Sequence, residues 1–172
     1  MKPLKLYILI IALSILPLIH IFISSGVPHT SDGLMHIARS ASYYKELAGG
    51  QFPVRWASQL DYGFGTPLFN FFSPLPYVIG AVTIAMGFSL TEVLKIGFAL
   101  TYILAGIFML MFCRAYFKDE MTAFFVAVMY QFAPFRFVDM LVRGDLGTLY
   151  SYMTLPLVFY AITLFLKKTT FF

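Results

Sequence analysis

The sequence predicts an all-α integral membrane protein of about four spanning helices, with an amphipathic helix and an in-plane or re-entrant segment in its first outer loop. Three observations lead there. Of 172 residues, 60% are hydrophobic and only 12% are charged, about half the charge of a soluble domain, which leaves too little polar surface to cover a water-exposed globule. Several apolar runs approach the roughly 20 residues needed to cross about 30 Å of hydrocarbon. Lys and Arg gather at the ends of those runs on one side of the bilayer. The single cysteine, Cys113, excludes an internal disulfide, and three histidines beside it make a structural zinc site a poor fit. The net charge of +4 comes from residues scattered between apolar runs, so no nucleic-acid partner is expected.

The first span, 6–25, follows Lys2 and Lys5, which hold its start in the cytoplasm. It is longer than the apolar stretch of a signal peptide, and Ile23-Ser24-Ser25-Gly26 is a poor cleavage sequence, so it reads as a signal anchor. A helix follows from the candidate cap Ser31 to Gly49-Gly50. At 100° per residue, Leu34, Ile37, Ala38, Ala41, Tyr44 and Ala48 share one face, with Asp32, His36, Arg39 and Tyr43 on the other. Such a helix lies in the outer headgroup layer. Its polar stripe either faces water or forms the mouth of a site, where His36 and Arg39 bind an anion or orient the Asp32 carboxylate. A metal held by Asp32, His36 and His29 lacks a complete ligand set of recognised spacing. No metal-ligating residue is therefore assigned, and a divalent cation as cofactor is left open.

Residues 51–77 mix aromatic residues, Gly and Pro with Arg55, Asp61 and Asn70. Interfacial anchoring by Trp56 and Tyr62 explains part of this; an irregular loop folded over a pocket explains the rest. Gly63-Phe64-Gly65 lacks the strand and helix of a dinucleotide fingerprint. Residues 74–90 are apolar but interrupted by Pro74, Pro76, Gly80 and Gly87, which suits an in-plane or re-entrant segment better than a span. The remaining spans are 96–113, 121–138 and 146–166. If 74–90 does not cross, Lys2, Lys5, Arg114, Lys118, Lys167 and Lys168 all fall inside; if it crosses, only Lys95, Arg136 and Arg143 replace the last four. The first arrangement satisfies the charge rule better. Both termini are then cytoplasmic, and the outer loops are about 26–95 and 136–145. Arg143 and Asp145 in the second loop lie on the same side as Asp32, either as snorkelling anchors or as parts of a shared site.

The order of these motifs, from the signal anchor and Asp32 helix through Phe52-Pro53-Val54-Arg55-Trp56, Tyr62-Gly63-Phe64-Gly65-Thr66-Pro67, Pro74-Leu75-Pro76-Tyr77 and Arg143-Gly144-Asp145 to Leu155-Pro156-Leu157, resembles a known family. What these motifs resemble is the amino-terminal part of the bacterial multi-pass membrane family labelled 6-pyruvoyl-tetrahydropterin-synthase-related. That family is similar in layout to the GT-C glycosyltransferases, such as protein O-mannosyltransferases and oligosaccharyltransferases. The resemblance implies transfer of a sugar from a polyprenyl-phosphate donor on the outer face of the cell membrane. It carries a carboxylate acting at the acceptor over to Asp32, and a second acidic position to Asp145. For such chemistry Arg39, Arg55 and Arg143 are candidate cations for the leaving phosphate, while Trp56, Tyr62 and Phe69 are candidate stacking surfaces for sugar or isoprenoid. The pterin-synthase label itself finds no support, since that chemistry uses a zinc triad of histidines and His20 sits inside an apolar run. Enzymes of this layout have many more spans, so these residues are expected to form a single amino-terminal membrane module completed by further helices of a longer chain or a partner. The alternatives are a transporter or flippase component and a non-catalytic membrane assembly protein.

Overall fold

A computed structural model of the protein describes residues 3–169. Helix α1 (Pro3–Ile23) takes up the first apolar run. Helix α2 (Gly33–Ala48) follows, then an irregular stretch with 3-10 turns at Asp61–Gly63 and Leu68–Asn70, and helix α3 (Leu75–Ala85). The long α4 (Leu90–Phe117) leads to α5 (Glu120–Gln131), a short α6 (Pro134–Phe137), a π-helical turn (Val138–Arg143) and α7 (Leu146–Thr169). Helices α1, α4 and α7 are long and apolar enough to cross a membrane, and α5 with the bent 134–143 segment makes a fourth, broken candidate. The chain is thus an all-α membrane protein. At about 1.5 Å per residue, the eleven residues of α3 reach only about half of a bilayer core.

Local chemistry sets the boundaries. Ser89 and Glu92 form a reciprocal capping box, the Ser hydroxyl accepting from the Glu92 amide and the Glu92 carboxylate from the Ser89 amide. This starts α4 at Leu90, so Lys95 belongs to the helix rather than to the first outer loop, and its ammonium bonds the Ser24 carbonyl at the end of α1. Asp119 caps α5 by accepting from the Thr122 amide at 2.7 Å. Pro134 cannot donate to the preceding turn, and the helix direction changes by 43° between Gln131 and Pro134. The expected span at 121–138 is therefore broken. The expected outer loop at 136–145 is helical as far as Arg143, with Arg136 and Asp139 fully buried; the partners of Arg136 come from α4, α5 and α7, and those of Asp139 from Arg143 in its own turn and from α7.

Contacts sort the chain into two ends. At one, the Arg114 guanidinium holds the Glu120 carboxylate at 2.7–3.0 Å and the Tyr7 hydroxyl at 3.1 Å, and Lys167 reaches the Ala115 carbonyl. At the other, the Ser31 and Asp32 amides donate to the Val142 and Arg143 carbonyls at 3.0 and 2.7 Å. Between them Leu18, Ile21, Phe98, Tyr102, Leu149 and neighbours fill a core shared by α1, α4 and α7. Close approach needs small residues: a Cβ on Gly97 would press on Leu146, and one on Gly106 would meet Gln131 and Ile10.

Helix α2 is oriented opposite to a helix showing its polar stripe to water. His36 and Tyr43 are 5% and 4% exposed while Leu34 is 68% exposed, so the polar face packs inward against α3 and α4. Its amino end differs too: the Thr30 hydroxyl, not Ser31, accepts from the Gly33 amide, and the Ser31 hydroxyl donates to the Arg143 carbonyl.

Candidate functional site

The two backbone hydrogen bonds from Ser31 and Asp32 clamp the start of α2 against residues 142–143. Gly144 makes the turn into α7 with φ 69°, where a Cβ would also collide with Thr30. The inward face of α2 is thereby set against the amino end of α7 and the first turn of α3. A cavity of about 300 Å3 lies between them, with Asp32, His36, Arg39, Tyr77, Arg143 and Asp145 in its wall.

Asp145 is tied down. It begins α7 by accepting from the Thr148 amide at 3.2 Å and the Thr148 hydroxyl at 2.7 Å. Arg143 spans two carboxylates, Asp139 at 2.7 Å and Asp145 at 3.0 Å. Asp139 has no exposure and takes a further hydrogen bond from the Tyr152 hydroxyl at 3.1 Å. Burial raises the Asp145 pKa, but the Thr148 hydrogen bonds, with Arg143 and His36, outweigh it and hold the carboxyl below its ordinary value.

Asp32 and Arg39 are not tied in this way. No side-chain hydrogen bond to the Asp32 carboxylate occurs among the described residues, not even the usual cap of its own helix. Arg39 donates to the Tyr77 hydroxyl at 3.3 Å and lies 4.2 Å above the Phe72 ring; among the described residues no carboxylate is within ion-pairing distance of it. His36 sits between the two groups. Its Nε2 accepts from the Leu146 amide at 3.3 Å and lies 3.9 Å from Asp145, and its Nδ1 is 3.2 Å from the Tyr77 hydroxyl. Burial, then Arg39, push its pKa below 6.5 against the opposing pull of Asp145 and Asp32, so the ring is neutral at pH 7.

Behind the cavity the polar network continues into the bundle. The Arg136 guanidinium, 1% exposed, lies 4.7–5.5 Å from the rings of Tyr102, Tyr130 and Tyr152. One of its nitrogens bonds the Tyr130 carbonyl and Gln131, while Nε and Nη2 have no hydrogen-bond partner. Gln131 in turn donates to Ser14 and to the Tyr102 carbonyl.

Of the residues expected to form a site, Asp32, His36, Arg39, Arg143 and Asp145 converge on this cavity. Arg55, Trp56 and Tyr62 do not line it. All three are exposed, Tyr62 completely, on the loop between α2 and α3, where Trp56 packs over Gly65. Sequence reasoning placed Tyr77 only within a motif and gave no role to Asp139, Phe72 or Thr148. Available signals were Asp145-x-x-Thr148 as a helix cap and Asp139 four residues before Arg143. Among the described residues no group of three or more His, Cys, Asp or Glu side chains is placed to hold a metal ion. Compared with known protein families, curated proteins and solved structures, the chain matches none of them.

Proposed function

We propose that this cavity is the site of a membrane glycosyltransferase, or of its amino-terminal module, that takes a sugar from a polyprenyl-phosphate donor. The observation that carries the reading is the pairing, in one cavity, of a carboxylate with no side-chain bond, Asp32, and a guanidinium with no carboxylate partner, Arg39. Asp32 takes the proton of the acceptor hydroxyl as its oxygen bonds the anomeric carbon. The bond from that carbon to the phosphate oxygen breaks, and the phosphate departs with the electron pair toward Arg39. Asp145, whose oxygens are engaged by Thr148 and Arg143, then orients the site and balances Arg143 rather than accepting the proton.

Orientation belongs to the same reading. Arg114 meets Tyr7 and Glu120, and Lys167 the Ala115 carbonyl, at the end opposite the cavity, and Lys5, Lys118 and Lys168 sit at the same helix ends. That end is cytoplasmic by the positive-inside rule, both termini are inside, and the cavity opens outside. Because Cys113 is buried, new thiols are the right probes. An impermeant reagent should label Gln59→Cys in intact cells and Tyr116→Cys only after permeabilisation; the reverse pattern inverts the topology. For the chemistry, membranes are assayed for sugar release from a labelled polyprenyl-phosphate donor. Asp32→Asn should cut release by about a hundredfold or more, and undiminished release contradicts the reading.

A second reading, membrane transport, is favoured by one observation. A broken span carries buried Arg136 and Asp139, as helices lining a transport path do. Substrate accumulation in proteoliposomes, abolished by Arg136→Met, would select it over transfer.

A further inference from the structure

Tyr77 is held in the wall of the cavity at 2% exposure, and its hydroxyl is met by donors. A backbone N–H can only donate, so the Leu146 amide aimed at Nε2 of His36 requires a lone pair there. In the neutral ring the proton is then on Nδ1, which faces the Tyr77 oxygen at 3.2 Å. The guanidinium of Arg39, also a donor only, approaches the same oxygen at 3.3 Å. The phenolic oxygen thus accepts two hydrogen bonds, and among the described residues nothing accepts its own proton. Leaving a buried O–H donor without an acceptor is costly, and the open direction from Tyr77 is the cavity.

We infer that Tyr77 donates a hydrogen bond to an anionic oxygen of the ligand, with the His36 tautomer and Arg39 fixing the direction of its proton, so that Tyr77 and Arg39 together hold a lipid phosphate. The inference rests on the reading above in taking the ligand to be a polyprenyl phosphate. Burial raises the Tyr77 pKa against the weaker pull of Arg39, which keeps the proton on the phenol as the phosphate leaves. His36 is a positioning residue: both its ring nitrogens are engaged within the protein, and it acts by fixing which way Tyr77 donates.

The test uses the full chain in lipid nanodiscs with farnesyl phosphate as probe, titrated by calorimetry. Tyr77→Phe should weaken binding roughly tenfold or more, the loss of a hydrogen bond to a charged group, while leaving the weaker binding of farnesol unchanged. Equal affinity of Tyr77→Phe and the parent for farnesyl phosphate overturns the inference. Displacement of the probe by inorganic phosphate only at far higher concentration supports a lipid source, and displacement at equal concentration overturns it. Should Tyr77→Phe fail to fold, nitrogen NMR of His36 in the parent protein decides, with its resonances assigned through His36→Gln. A proton on Nδ1 supports the inference; a proton on Nε2 makes Tyr77 the donor to His36 and overturns it. The two proposals fail separately. Tyr77-dependent probe binding without sugar release removes only the transferase reading, whereas sugar release with Tyr77-independent binding removes only this one.

Discussion

Arg143 and Arg55 lie in segments of similar composition, each near an Asp and several aromatic residues, yet their surroundings differ completely. Arg143 ends a π-helical turn, bridges two carboxylates and faces a cavity. Arg55 projects from a loop whose backbone is satisfied by nearby side chains: the Gln51 side-chain oxygen accepts the Arg55 and Trp56 amides, and Glu46, in the last turn of α2, accepts the Ser58 amide and hydroxyl. The lesson is that polar side chains become a site where apolar helices fix the direction they point. In a locally satisfied loop the same side chains are left on the surface.

Substitutions can break or sharpen this contrast. The largest effect is expected beneath the cavity, where Arg136→Ala empties the space among three tyrosine rings and should cost about 3–5 kcal/mol. Arg136→Met fills that space and removes two unpartnered donors, so its melting temperature should stay much nearer the parent's. Equal losses for the two would show that charge, not packing, is what the tyrosines hold.

Next are the glycines. Gly144→Ala combines φ 69° with a clash against Thr30, whereas Gly63→Ala has φ 88° and open space around it. Thermal unfolding should show a loss of about 2–3 kcal/mol for the first and about 1 kcal/mol for the second. If the loop glycine costs as much, the loop is as strictly built as the cavity wall.

A smaller effect follows from His36. Its folded pKa is below 6.5, so below pH 6.5 the unfolded chain binds a proton that the folded chain does not. Stability from this group is fully present above pH 6.5 and falls as the pH drops toward the folded pKa, by at most about 1.4 kcal/mol per pH unit. Comparing His36→Gln with the parent between pH 7.5 and 5 isolates it; parallel curves would mean that His36 is not held neutral. Smallest of all, Tyr62→Ala and Arg55→Ala should shift unfolding by no more than about 0.5 kcal/mol and leave farnesyl phosphate binding unchanged.

Much of the helical framework was legible because each spanning run announces itself by length and composition. The polar face of α2 was legible as well, since Asp32, His36 and Arg39 recur at helical spacing. Which way that face points was not, because its direction is decided by Tyr77 on α3 and Leu146 on α7, far away in sequence. The 134–143 segment was misread for a related reason. Arg136 and Asp139 look like loop residues until Tyr102, Tyr130 and Tyr152 surround the first, and Arg143 and Tyr152 bind the second. The start of α4 was a missed local signal, since Ser89 and Glu92 are spaced as a capping box. Asp145 is bound by Thr148 and Arg143 together; the Thr148 spacing was readable, but the sharing of Arg143 with Asp139 that separates Asp145 from Asp32 appears only in three dimensions.

The central claim, that the helix-built cavity and not the aromatic loop receives the ligand, is tested most directly by photolabelling. The full chain in native membranes is irradiated with a benzophenone-bearing prenyl phosphate and the labelled peptides are identified. Label on residues 32–39, 72–77 and 143–147 is the predicted result. Label confined to residues 51–66 would contradict it.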